Sequence, residues 1–437
     1  MKISTNTKKH TIAALIAMSV ITLVGLFSFL IAPKASAATY YIESFEQLKA
    51  ALSEEDNDKI LILTQDIEVS ETVVLTGNVA VSSSVDAKIA RAESCLSHLF
   101  KVESGANVVF AQNGEQVLTI DGQRIVANGS AFNIAASAKV TFGKGIEIVN
   151  FDAETVSGSV VFSSGELIVD GAKIHDNKLS STVEKYGVIH NYQGSTFRFK
   201  SGEFYNNETL STGILFMNDN TVFEMTGGKI YKNSTTANGT IYIKNSDVTF
   251  TGGEIYENSA ARGGGIYVNG AAEVSMAGVK ISKNTVADYG AGVYIGNEGA
   301  KITIDGAEIF ENVSAKSGAG VFIDKGQVVM VSGKVSDNSN ESGNGAGFIN
   351  KDRLTIKGGE IKNNTAVSKG GAIYSYDTAE LTIEGGTISG NSAGSNGGAV
   401  NAVDTILKVS GGTFSANTTD EFGGAIYAND LNISGET

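Results

Sequence analysis

From about residue 145 onward the chain repeats one pattern of apolar and polar positions. Three short apolar patches are separated by Gly, Asn, Ser or Asp, as in AIY (372–374), LTI (381–383) and TIS (387–389). The third patch ends in Ile-x-x-Asn, with Phe or Val sometimes in the Ile position. This ending places Asn177, Asn207, Asn233, Asn258, Asn284, Asn312, Asn338, Asn364, Asn391 and Asn417 about 26 residues apart. No patch is long enough for a helix, and β-branched residues dominate, so each predicts a strand of about 3–5 residues. One such unit cannot bury its apolar side chains, but stacked units can. Pairing each strand in parallel with its counterpart one repeat later needs a crossover of a dozen or more residues, which this period supplies. Crossover handedness then favours a right-handed coil. The predicted fold is all-β, a right-handed parallel β-helix solenoid with three sheets.

Two columns sharpen that expectation. If the Asn amides point inward, each can donate to one neighbouring coil and accept from the other, as in the asparagine ladders of stacked sheets; the alternative is an Asn at a solvated turn. The second column precedes the Ile: Glu147, Lys173, Glu203, Lys229, Glu254, Lys280, Glu308, Lys334 and Glu360. Its sign alternates at every coil, so in-register stacking sets each Lys between two Glu. These charges read as devices for register and solubility rather than for catalysis.

The first third of the chain is less regular. Residues 1–38 read as a secretory signal peptide: Lys8 and Lys9 supply charge, Thr11 to Ala32 an apolar run, and Ala35-Ser36-Ala37 a small-residue cleavage site. An uncleaved membrane anchor is the minor alternative for that run; after cleavage no membrane span is expected. In YYIESFEQLKAALSEE, Ser44 with Gln47 fits a capping box, and Phe45, Leu48 and Leu52 share one helical face. Such a helix would cover the open apolar end of the first coil. Residues 39–144 are then the cap helix and irregular first coils, and 145–437 the regular coils. The final LNISGET (431–437) matches LTIEGGT (381–387), so the sequence ends in mid-repeat.

The net charge is −14, and removing the lysine-bearing leader makes the remainder more acidic still. A nucleic-acid partner is not expected of such a surface. A lone Cys95 excludes an internal disulfide framework and reads as a buried small apolar residue.

Several residues resemble a known group. GGAI at 370–373 and 423–426, GGAV at 397–400 and FSAN at 414–417 look like the GGAI and FxxN repeats of chlamydial polymorphic outer-membrane proteins. The order of leader, SFEQLKAAL helix, IDG strand (120–122) and glycine-rich coils is similar to secreted right-handed β-helix proteins of Gram-positive bacteria. The resemblance implies a β-helix of the pectate-lyase-like fold and says little about activity, because adhesins, surface coats and sugar-cleaving enzymes share such repeats.

Candidate chemistry is sparse. Glycoside hydrolysis needs carboxylates converging on one groove, and a calcium-dependent lyase needs an acidic cluster with a nearby base. The acidic column Asp352, Asp377, Asp404 and Asp430 reads as turn chemistry before a cation row or a catalytic site. His175 and His190 lack a framing triad or metal motif, so no cofactor or metal is expected. One feature suits recognition: Tyr242, Tyr267, Tyr294, Phe322, Tyr374 and Tyr427 occupy one slot, interrupted by Ile349 and Asn401. Alternation places these rings outside the core, where they can pack on one another or dock a sugar or a partner protein. The expected function is a non-catalytic secreted or cell-surface module, adhesin-like or a spacer, with glycans or surface proteins as partners. A polysaccharide lyase or hydrolase is the rival.

Overall fold

The computed structural model describes residues 37–112, 114–154, 158–181 and 186–429, and the backbone of 431–433. The leader and Asp430 lie outside the described residues. The chain is a right-handed parallel β-helix. One representative coil contains the strands Ile241–Lys244, Asp247–Phe250, Glu254–Tyr256 and Ser259–Arg262. Each pairs in parallel with its equivalent on the next coil: Ile241 with Ile266, Val248 with Val274, Ile255 with Ile281, and Ser259 with Thr285. The three apolar patches of the repeat thus form three sides.

A fourth, narrow ladder of mostly two-residue strands follows the Asn corner, running from Val126–Ala127 to Thr418–Thr419. The periodicity argument did not separate it from the linkers, because two-residue strands carry too few side chains to show alternation. In places the sides merge: Val293–Phe310 and Val321–Ser336 each bend through three columns without a break.

Alternation explains the interior. Along Asp247–Phe250 the residues run exposed, buried, exposed, buried. Inward residues from every coil join one apolar cluster that extends from Ile42 to Val409. The early coils differ in girth. Lys59 pairs with Val79, but Val79 with Val108 and Val108 with Val140.

A helix, Phe45–Ser53, lies between the strands Ala38–Ile42 and Asp58–Leu63. The Ser44 side chain accepts from the Gln47 N–H at 3.2 Å, and the Gln47 amide oxygen accepts from the Glu43 N–H at 2.6 Å. The helix turns Phe45, Leu48 and Ala51 into the main core, with Leu52 partly buried against it. No helix among the described residues is long and apolar enough to cross a membrane.

The asparagines form a ladder. Asn177 to Asn391 are each 0–1% exposed. From Asn177 to Asn417, each Nδ2 donates to the Oδ1 of the next Asn at 2.9–3.0 Å. The same Oδ1 accepts the backbone N–H of the preceding Asn at 3.0–3.1 Å. The second Nδ2 hydrogen reaches a carbonyl of the preceding coil, as from Asn284 to Ile255 at 3.0 Å. A buried polar column is therefore satisfied throughout, which is the condition for keeping it in a core. Phe151 occupies the slot one coil earlier, and its N–H closes the ladder onto Asn177 at 3.0 Å.

Candidate functional site

The predicted aromatic slot is a continuous stack. Phe216, Tyr242, Tyr267, Tyr294 and Phe322 sit ring over ring, 4.9–5.2 Å apart and within 12° of parallel. Strand register enforces this, since Phe216 pairs with Tyr242, Tyr242 with Tyr267, and Tyr267 with Tyr294. The rings lie outside the main core, in a cluster of their own. They are nevertheless buried: Tyr242, Tyr267, Tyr294 and Phe322 are 3–9% exposed.

The glycine pairs of the repeat explain that burial. Gly290 has φ of +68°, and a Cβ there would lie 2.9 Å from the Tyr294 Cβ. Two residues on, a Cβ at Gly292 would lie 2.5 Å from the Gly320 carbonyl oxygen of the next coil. Glycine lets the entering loop press down on the ring below and the coil above. The ring faces are consequently taken by one another, leaving only edges and hydroxyls for other contacts. Asn269 donates to the Tyr242 hydroxyl at 2.7 Å, and the Tyr294 hydroxyl donates to Asp324 at 3.1 Å. Burial pushes the Tyr267 hydroxyl up to about 12 and raises that of Tyr294, with the Asp324 charge adding to the latter.

The stack breaks where Ile349 replaces a ring. Beyond it Tyr374 is half-buried and leans onto Tyr376, 4.7 Å away, and Tyr427 lies half-buried past Asn401. At the break a cleft of about 390 Å³ opens between the stack and its covering loops. Its aromatic walls are Tyr289, Tyr294, Phe322, Tyr374 and Tyr376, with Arg262 and Lys351 at its rim. Tyr289 and Tyr376 fall outside the repeating slot. Tyr289 packs on Phe322 at 4.9 Å, and Arg262 lies over Tyr289 and Tyr294, 5.8 Å from each ring centre. A charged trough of about 560 Å³ adjoins the cleft through Asp324 and Lys351.

The acids here are paired. Asp288 meets Lys316 at 2.5 Å and Arg262 at 3.4 Å. Asp324 meets Lys351 at 2.7 Å, and Glu298 meets Lys325 at 2.5 Å. Hydrogen bonds from Lys316 and Lys325 hold the carboxyls of Asp288 and Glu298 below the usual range. None of the residues lining the cleft is His or Cys. Among the described residues no three His, Cys, Asp or Glu side chains converge as metal ligands.

The remaining candidates fall elsewhere. Asp377 and Asp404 have left-handed φ of 61° and 52°, as turn residues do, and Asp352 accepts the Gly326 N–H at 2.7 Å. His190 belongs to the first stack, pairing in register with Phe162 and Phe216 and meeting Phe216 edge-on at 4.9 Å. His175 opens a second stack that the sequence reading missed: His175, Tyr205, Tyr231 and Tyr256, 4.5–5.0 Å apart. Its signal was an aromatic directly after the apolar residue in IHDN, FYNN, IYKN and IYEN. Cys95 is buried, and burial raises its thiol pKa.

Comparison with known proteins agrees with this architecture. Residues 212–414 match the family described as a right handed beta helix region. That right handed beta helix region includes every coil that lines the cleft. No curated protein matches the sequence. Among solved structures, the periplasmic alginate epimerase AlgG covers 91% of this chain and 84% of its own at 11% identity, with a TM-score of 0.26. A point mutant of that enzyme gives the same coverage at 10% identity and 0.24. Overlap this loose carries no chemistry from that enzyme to this chain.

Proposed function

We propose that this β-helix is a non-catalytic secreted or cell-surface module that binds a glycan in the cleft beside Ile349. The observation that carries the reading is the broken ring stack. From Phe216 to Phe322 every ring face is occupied by its neighbour, whereas at Ile349 the stack stops and Tyr289 and Tyr376 line an opening. Aromatic walls with polar groups at the rim suit a sugar, which offers apolar C–H faces and equatorial hydroxyls together. The leader expected at 1–38 and the GGAI and FSAN signatures support export.

The electrostatics favour binding over turnover. General acid–base catalysis wants a group poised near the working pH. The shifts resolved at the cleft run the other way: the Tyr294 and Tyr376 hydroxyls that line it are held protonated, and Asp288, paired with Arg262 beside it, is held ionised. With four carboxylates against three cationic groups, the trough also fits a neutral or zwitterionic saccharide better than a polyanion.

A glycan array read with wild-type protein and with Tyr289→Ala/Tyr376→Ala tests the site. Binding should be present in the first and lost in the second, while Tyr427→Ala leaves it unchanged. Retention of binding in the double variant removes the cleft as the site. Release of reducing or unsaturated ends from any polysaccharide, with or without calcium, overturns the non-catalytic reading in favour of a lyase or hydrolase.

A further inference from the structure

The alternating charges face outward on the third side, away from the cleft. Their Cα atoms pair in strict sequence, Glu203 with Lys229, Lys229 with Glu254, Glu254 with Lys280, and so to Glu360. Yet among the described residues only Lys173–Glu147, at 3.3 Å, and Lys280–Glu308, at 4.0 Å, close into ion pairs along this column. Glu203 instead accepts the Tyr231 hydroxyl at 2.7 Å, and among the described residues Lys229 and Lys334 enter no ion pair. Beside the column runs a shallow groove of about 440 Å³, floored by Gly202, Gly228, Gly253 and Gly278. On the other flank of the charge column stand the rings of Tyr205, Tyr231 and Tyr256.

Such a strip selects its partner by spacing. Charges that alternate at the strand separation, about 4.8 Å, cancel one another within a few ångströms of the surface. The strip therefore draws in neither a polyanion nor a polycation from a distance. It is matched only in contact, by opposite alternation at the same spacing. A second copy of this stack supplies that pattern by construction, at the same spacing; an irregular protein surface does not. The strip is moreover its own complement. Take a two-fold axis in the contact plane, along the strands and midway between Lys229 and Glu254. It sets Lys229 against Glu254 of a second copy and Glu203 against Lys280, and each ring column against itself.

We propose that this face is a homodimer interface, with two copies docked antiparallel across the third side, charge column against charge column and glycine groove facing glycine groove. Sedimentation equilibrium of the purified protein at micromolar concentration should show a monomer–dimer equilibrium. Lys229→Glu and Glu254→Lys should each weaken it about tenfold or more, because symmetry makes every like-charge contact twice. An equimolar mixture of the two variants should form a heterodimer, since the two carboxylates of one face the two ammonium groups of the other. The double variant Lys229→Glu/Glu254→Lys breaks alternation within the chain but keeps the two-fold complement, so it should dimerise. A wild-type protein that stays monomeric overturns the proposal. So does a mixture that fails to pair while circular dichroism shows both variants folded.

Discussion

Asn284→Ala is the sharpest single perturbation, because the side chain removed sits in the middle of the ladder with no solvent in reach. Its Oδ1 accepts the Asn258 N–H at 3.1 Å and the Asn258 Nδ2 at 3.0 Å. Its own Nδ2 donates to the Ile255 carbonyl and to the Asn312 Oδ1, each at 3.0 Å. Truncation leaves two buried donors of Asn258 without an acceptor. Each orphaned donor costs about 1–3 kcal/mol, so the loss should be about 2–6 kcal/mol. Asn417→Ala is the internal control. Asn417 is half-exposed at the far end of the ladder, where water replaces the lost acceptor, and its loss should be about 1 kcal/mol. Urea denaturation followed by far-ultraviolet circular dichroism measures both. A stacked array can unfold in parts, so equal slopes must be checked before midpoints are compared. An Asn284→Ala loss no larger than that of Asn417→Ala would refute the ladder's energetic role.

Three further outcomes follow from the same geometry. Lys280→Glu sets a third carboxylate between Glu254 and Glu308 and should cost about 0.3–1 kcal/mol, fading in high salt; a loss independent of salt would mean the column is not electrostatically coupled. Tyr267→Ala removes a ring held 5.1 and 4.9 Å from its two neighbours and should cost about 3–5 kcal/mol, against about 0.5–1.5 for Tyr267→Phe. Equal, small losses would mean the stack is decorative. His98 accepts the Ser130 N–H through Nδ1 at 3.0 Å, and burial, with Arg91 and Lys101 nearby, lowers its pKa. The unfolded chain therefore takes up this proton first as pH falls. The stability is present above the unfolded value of about 6.5 and is lost below it. The fall in melting temperature from pH 7.5 to 5 should flatten in His98→Gln, and an unchanged slope would assign it elsewhere.

Much of this was legible because stacking turns a sequence period into a spatial neighbour. The Asn and charge columns needed only their spacing to be read, since register lays Asn258 under Asn284 and Glu254 under Lys280. Other features depend on what lies across the coil. The burial of Tyr267 comes from loops whose glycines approach its Cβ, Gly239 and Gly263 among them, and alternation reports only that a ring is outside the core. The cleft arises from Tyr289 and Tyr376, which occupy no repeated slot and so leave no periodic mark. The charge column showed the opposite limit. Its order was plain in the sequence, but the scarcity of closed ion pairs depends on side-chain torsions that a period does not encode.

The claim beneath all the others is that equivalent residues lie directly above one another with their amides linked along the axis. Proton exchange of the side-chain amides in protein labelled with ¹⁵N-asparagine tests it most directly. Asn207, Asn258, Asn284 and Asn338 should be protected to the level of the strand backbone, while the exposed Asn57 and Asn206 exchange like free amides. Exchange of the ladder amides as fast as those of Asn57 and Asn206 would contradict the account.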